Sequence, residues 1–179
     1  MGDLLRFAGY GRPSLAQRYW THHRVNLHVS YNFASDQQAV WDLFTNPAKL
    51  ARALPGLQDV QPIAENTWHA LVSIQVSHFS GRYKLTTHID EHHEPDHWQV
   101  TISGDGQGSH LDGNFRIGLD SCNDAAETIA TMIGKVAIEG TLAQIDPALT
   151  IATLYLLSRR FFIAMANQLP QRSHYTLTD

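Results

Sequence analysis

Residues 39 to 56, AVWDLFTNPAKLARALPG, constrain the fold more than any other stretch, because they compress two helices and a chain reversal into 18 residues. Ser35 is placed to cap the first helix, with Gln38 three residues on completing a capping box. Asn46-Pro47 reads as an N-cap followed by proline at the first position of the second helix. Pro55-Gly56 then stops that helix and turns the chain. One strand precedes this pair and many follow it. Such an order describes a sheet that wraps around a helix and encloses a space.

The strand before the pair shows a period of two: Val25, Leu27, Val29, Tyr31 and Phe33 alternate with Asn26, His28, Ser30 and Asn32. Further strands are predicted near residues 57–64, 67–79, 82–92, 97–104, 113–120 and 127–139. Glu65-Asn66, Pro95-Asp96 and Asn123-Asp124 fall in the turns between them. Hairpin-length links imply a mostly antiparallel sheet. A last helix starts with Asp146 as N-cap and Pro147 at its first position, and runs to about Gln168 before Pro170 prevents continuation. Its length of roughly 33 Å, at about 1.5 Å per residue, suffices to cross the sheet. The expected fold class is α+β of helix-grip type: a curved antiparallel sheet of about seven strands around a long C-terminal helix, with two short helices after strand 1.

Several motifs carry a resemblance. The AVW…NP…L…PG stretch, Trp68-His69-Ala70, Phe79-Ser80-Gly81-Arg82-Tyr83-Lys84, Gly104-Asp105-Gly106-Gln107-Gly108 and Gly140-Thr141-Leu142-Ala143-Gln144 are together similar to the G-subunit family of carbon monoxide dehydrogenase. That family lies within the START/polyketide-cyclase-like (SRPBCC) superfamily. The likeness covers residues 25 to 169, leaving 1–24 as an N-terminal extension and 170–179 as a C-terminal tail. Its motifs are structural, so it implies a fold, START or Bet v 1-like, more than an activity. It further implies association with a molybdenum hydroxylase of the carbon monoxide dehydrogenase kind, in membrane recruitment or maturation, and a lipid or quinone-like ligand. The anchoring members carry a long extension beyond the last helix, where here only Pro170 to Asp179 follow.

At 179 residues the chain is expected to form one domain with a substantial core. A net charge of −4 argues against nucleic acid as a partner. A single cysteine, Cys122, excludes an internal disulfide. No run of 18 apolar residues and no apolar secretory leader are found, so the default expectation is a cytoplasmic protein without a spanning helix. Protonating half of the 11 histidines would erase the negative charge. Residues 1–24 carry Arg6, Arg12, Arg18 and Arg24 against Asp3, and read as a tail, a docking arm or a short helix over Ser14 to Trp20.

Alternation assigns a concave face. Trp68, Ala70, Val72, Ile74 and Val76 come from one strand, Tyr83, Leu85, Thr87 and Ile89 from the next, then Trp98, Val100 and Ile102. Phe115, Ile117 and Leu119 follow, then Ala130, Met132, Gly134, Val136 and Ile138. The last helix adds Leu154 and Phe162. Apolar walls with few polar groups suit a hydrophobic small molecule, and a plainly packed core has the same periodicity. The last helix carries more apolar residues than one stripe needs: Leu149, Ala152, Leu156 and Ile163 on one side, Ile151, Leu154, Tyr155, Phe162 and Met165 on another. The surplus suggests cover by the N-terminal segment, a homodimer, a partner or peripheral membrane contact.

Other motifs point elsewhere more weakly. Glu91-His92-His93-Glu94-Pro95-Asp96-His97 offers metal donors, but neighbouring strand side chains diverge, so it reads as a solvated hairpin with no metal. Gly104, Gly106 and Gly108 lack the following helix that a phosphate site requires, and suit sheet curvature. Arg82, Tyr83, His110, Asp112 and Cys122 are the residues available for catalysis, with His110 and Asp112 expected in a loop, and none forms a recognisable catalytic constellation. The expectation is a hydrophobic-ligand protein with no cofactor and no catalytic residue. The alternatives are a cyclase- or dehydratase-like enzyme on the same fold, and an interaction module with a vestigial cavity.

Overall fold

In the computed structural model, which describes residues 22–76 and 79–170, the first alternating segment becomes strand β1 (His22–Phe33). Val25, Leu27 and Phe33 are buried, while Asn26, His28, Ser30 and Asn32 face solvent. The strand begins before the expected Val25, because His22, His23 and Arg24 find partners in Glu139, Ile138 and Ala137. The suggested helix over Ser14 to Trp20 and the tail from residue 171 lie outside the described residues.

Helix α1 (Gln37–Phe44) follows, capped by Asp36 and not by Ser35: the Asp36 carboxylate accepts from the Ala39 N–H at 2.9 Å. Ser35 is used through its carbonyl, which accepts from the Thr128 hydroxyl at 2.8 Å. Gln38 donates to Asp42 and to Glu94 at 3.0 and 2.8 Å, so no capping box forms. Helix α2 (Pro47–Ala53) is capped as predicted, with the Asn46 side chain accepting from Ala48 and Lys49. Gly56 takes a φ of +76°, and a Cβ there would strike the Ser73 carbonyl, so the turn admits only glycine.

Six strands then run as β2 (Leu57–Ala64), β3 (Thr67–Val76), β4 (Phe79–His93), β5 (His97–Gly106), β6 (Ser109–Cys122) and β7 (Glu127–Gly140). They form one seven-stranded sheet in the order β1-β7-β6-β5-β4-β3-β2, antiparallel throughout. The consecutive strands β1 and β2 lie on opposite edges, and α1 and α2 carry the chain across. β6 starts at Ser109, earlier than expected, because Gln107 and Gly108 form a two-residue hairpin with φ of +50° and +70°. His110 and Asp112 therefore sit in a strand and not in a loop.

A 3-10 turn (Thr141–Gln144) leads into helix α3 (Pro147–Ala166), capped by Asp146 at 2.9 and 3.1 Å from the Ala148 and Leu149 nitrogens. The helix stops short of Gln168, whose side chain donates to the Lys49 carbonyl at 3.0 Å and ties the exit of α3 to α2. Along α3 only Thr150, Phe162 and Met165 are buried. Leu149, Ile151, Tyr155, Leu156 and Ile163 are exposed by 38–49%. By length and composition this helix is apolar enough to cross a membrane, contrary to the expectation from uninterrupted runs, yet here its inner side lies on the sheet.

The core divides into two clusters. One is aromatic, with Phe33, Trp41, Phe44, Trp98 and Phe162 at its centre. Phe44 packs on Phe33, Trp98 and Phe162 with ring centroids 5.1–6.0 Å apart, in the tilted and edge-on arrangements such rings prefer. The other is mainly aliphatic and joins Val25, Leu27, Val72, Val136 and Ile138 to Leu142 and Ile145 beyond the sheet.

Candidate functional site

Between these clusters the concave face, α2 and α3 enclose a cavity of about 330 Å³. The pleat accounts for its walls. Cross-strand partners Trp68 and Thr87, Thr87 and Ile102, and Val100 and Phe115 project to the same side. Of the residues assigned from sequence, Trp68, Val72, Ile74, Leu85, Thr87, Ile89, Trp98, Val100, Ile102, Phe115, Ile117, Met132, Val136, Ile138 and Leu154 line this space, and the side chain of Val76 lies outside the described ones.

Six assigned residues are elsewhere, among them Leu119 and Ala130, which are buried in the aromatic cluster. Phe162 is fully buried in the aromatic cluster, stacked on Tyr31 with centroids 6.0 Å apart, and its neighbour Phe161 borders the cavity. Gly134 leaves room for a ring and not for a ligand: a Cβ there would collide with Phe115, whose ring also covers Gly113. Tyr83 is buried against Gly81 and Gly106. Ala70, opposite Leu85, is buried in the aliphatic cluster. The cavity also takes Phe44, Leu50, Leu54 and Pro55 from the helix pair, Leu142 and Ile145 from the 3-10 turn region, and Leu157 from α3. Strand alternation could not reveal these, because they come from elements folded over the sheet.

Polar groups on the wall are few and uncharged. The hydroxyls of Thr150, Thr153 and Ser158 each donate to the helix carbonyl four residues back, at 3.2, 2.8 and 2.8 Å. Their oxygens keep acceptor capacity. The Thr87 hydroxyl and the indole N–H groups of Trp68 and Trp98 have no hydrogen-bond partner among the described residues. No ionisable side chain among the described residues lines the cavity.

The catalytic candidates are dispersed. Arg82 is exposed, and Tyr83 is walled off, with burial pushing its phenol above its ordinary range against a weaker opposing influence of the Ser109 hydroxyl. His110 lies between two carboxylates, Asp105 at 2.8 Å and Asp112 at 3.1 Å, on the outer face. Its pKa is raised, chiefly by the hydrogen bond to Asp105. Cys122 is a free thiol at the end of β6. This arrangement can enclose an apolar molecule and offer it neutral hydrogen bonds, with no ionisable group on the wall among the described residues.

Fold and cavity define a helix-grip protein, a curved antiparallel sheet closed by a C-terminal helix over an apolar space. The chain belongs to the CoxG family, that of the carbon monoxide dehydrogenase G subunit, whose model matches residues 30–169. Among solved structures it is similar to a conserved protein from Geobacillus kaustophilus, with 21% identity, TM-score 0.76, and 80% of this chain and 93% of that one covered. The Zhui aromatase/cyclase from Streptomyces sp. R1128 shares 13% identity and a TM-score of 0.57, over 81% and 93% of the two chains. Ara h 8.0201 shares 11% identity and a TM-score of 0.57, over 81% and 97%. No curated protein matches the chain in sequence.

Proposed function

We propose that this protein holds a hydrophobic small molecule of lipid or quinone type in the cavity and does not transform it. The observation that carries this reading is a wall of apolar and neutral hydroxyl groups without an ionisable side chain among the described residues. Acid–base catalysis requires a titrating group within reach of the reacting proton, and the described residues place none on the cavity wall for a cyclase-like reaction. Ligand carbonyl oxygens suit the Thr87 hydroxyl and the Trp68 and Trp98 indoles. Family membership supports service to a molybdenum hydroxylase of the carbon monoxide dehydrogenase kind as the setting.

A second observation concerns delivery. The outward side of α3 exposes Leu149, Ile151, Tyr155, Leu156 and Ile163. This favours a carrier that meets a membrane surface peripherally when it loads. Native mass spectrometry of the purified protein, followed by organic extraction, tests the carrier reading. A stoichiometric prenyl, acyl or quinone species is the expected result. A bare mass that stays unchanged after incubation with lipids and quinones would sink it, and an interaction module would take its place.

A further inference from the structure

On the outer face of the sheet, away from the cavity, the β4–β5 hairpin gathers donors that the cavity does not use. Pairing sets His93 opposite His97 and Glu91 opposite Gln99. Alternate residues share a face, so these four side chains stand together, whereas His92 pairs with the buried Trp98 and takes the other side. The divergence of His92 from His93, which argues against a metal in the sequence, is real. It does not affect the pair that meets across the strands.

The geometry is close. His93 Nε2 lies 2.5 Å from Glu91 Oε1, and the His93 and His97 rings stack with centroids 4.7 Å apart. One donor atom from each of Glu91, His93 and His97 lies within 4.8 Å of the other two. A tetrahedral ion with bonds of about 2.1 Å holds its donors roughly 3.4 Å apart. Small rotations of exposed side chains reach that spacing. Gln99 donates to the far oxygen of Glu91 at 2.9 Å, leaving the near one for a metal, as supporting hydrogen bonds at metal sites do. The hairpin tip is anchored to α1: Gln38 donates to Glu94 at 2.8 Å, and Gln37 to Asp96 at 3.3 Å.

We propose that Glu91, His93 and His97 bind one divalent transition-metal ion of the zinc class, with its remaining position open to solvent. Two imidazoles and one carboxylate are a donor set such ions accept. The ion would cross-link the two strands of the hairpin that grips α1, the helix that supplies Phe44 to the cavity wall.

The experiment is calorimetric titration of tag-free full-length protein with Zn(II). One equivalent is expected, with affinity reduced at least about tenfold in His93→Ala and in His97→Ala, weakened in Gln99→Leu, and unchanged in His92→Ala. No zinc binding by the wild type, equal loss in His92→Ala, or binding retained in a His93→Ala/His97→Ala variant overturns the proposal. Should a variant fail to fold, Co(II) added to the wild type must broaden the imidazole NMR signals of His93 and His97 before those of the other histidines. Uniform broadening overturns it equally.

Discussion

Phe161 and Phe162 are neighbours on one helix with different surroundings: Phe161 borders the cavity, and Phe162 is fully buried among Tyr31, Phe33 and Phe44. Phe162→Ala should therefore cost about 3–5 kcal/mol of stability in a denaturant titration. Phe161→Ala should cost less and act mainly on ligand retention. Equal destabilisation by both would contradict the assignment. His110 makes a separate prediction. Asp105 and Asp112 raise its pKa, so their stabilising contribution is fully present below the ordinary value of 6.5 and is lost as pH rises through the higher folded value. An NMR titration should place His110 above 6.5, with Asp105→Asn lowering it. The effect on melting temperature will be small, because the side chain is 37% exposed. The sequence reading expects His110 in a loop, so its pairing with Asp105 follows only once the two-residue β5–β6 hairpin is seen.

At the scale of elements, local chemistry was legible wherever the partners are near in sequence. Asn46-Pro47 and Asp146-Pro147 start their helices as predicted, because an N-cap bonds to nitrogens two or three residues ahead. The start of α1 was misread by one residue, since Ser35 and Asp36 are both competent caps and the tertiary bond from Thr128 claims the Ser35 carbonyl. Asp36→Ala should lower stability by about 1 kcal/mol, and Ser35→Ala by only a few tenths, in thermal melts. The early start of β6 is not legible although its turn is local, because Gly104, Gly106 and Gly108 weaken the strand pattern and Gln107-Gly108 lacks the usual Asn-Gly signature of a two-residue hairpin. The apolar surplus on α3 was visible in the sequence, and the structure leaves five of its large side chains exposed.

At the scale of the molecule, function depends on a space that no single element owns. Strands β1 and β3 to β7 supply its floor, the three helices its cover, and the 3-10 turn region adds Leu142 and Ile145. Ile102 projects into that space and is only partly buried by protein. Ile102→Trp should fill it at a cost of about 1–3 kcal/mol. The variant should remain folded by circular dichroism yet purify without ligand. A filled variant that retains ligand in native mass spectrometry would place the binding site elsewhere.

By itself the sequence determined the elements, their order, the faces of the strands and the family, because a period of two, helix caps and turn residues act over a few positions. Only the tertiary structure decided which inward residues meet a cavity and which meet one another. Phe115 lying over Gly113 and Gly134, and His93 meeting His97 across a hairpin, depend on register between strands and on the volume of neighbouring side chains. Those quantities exist only once the sheet has closed around its helix.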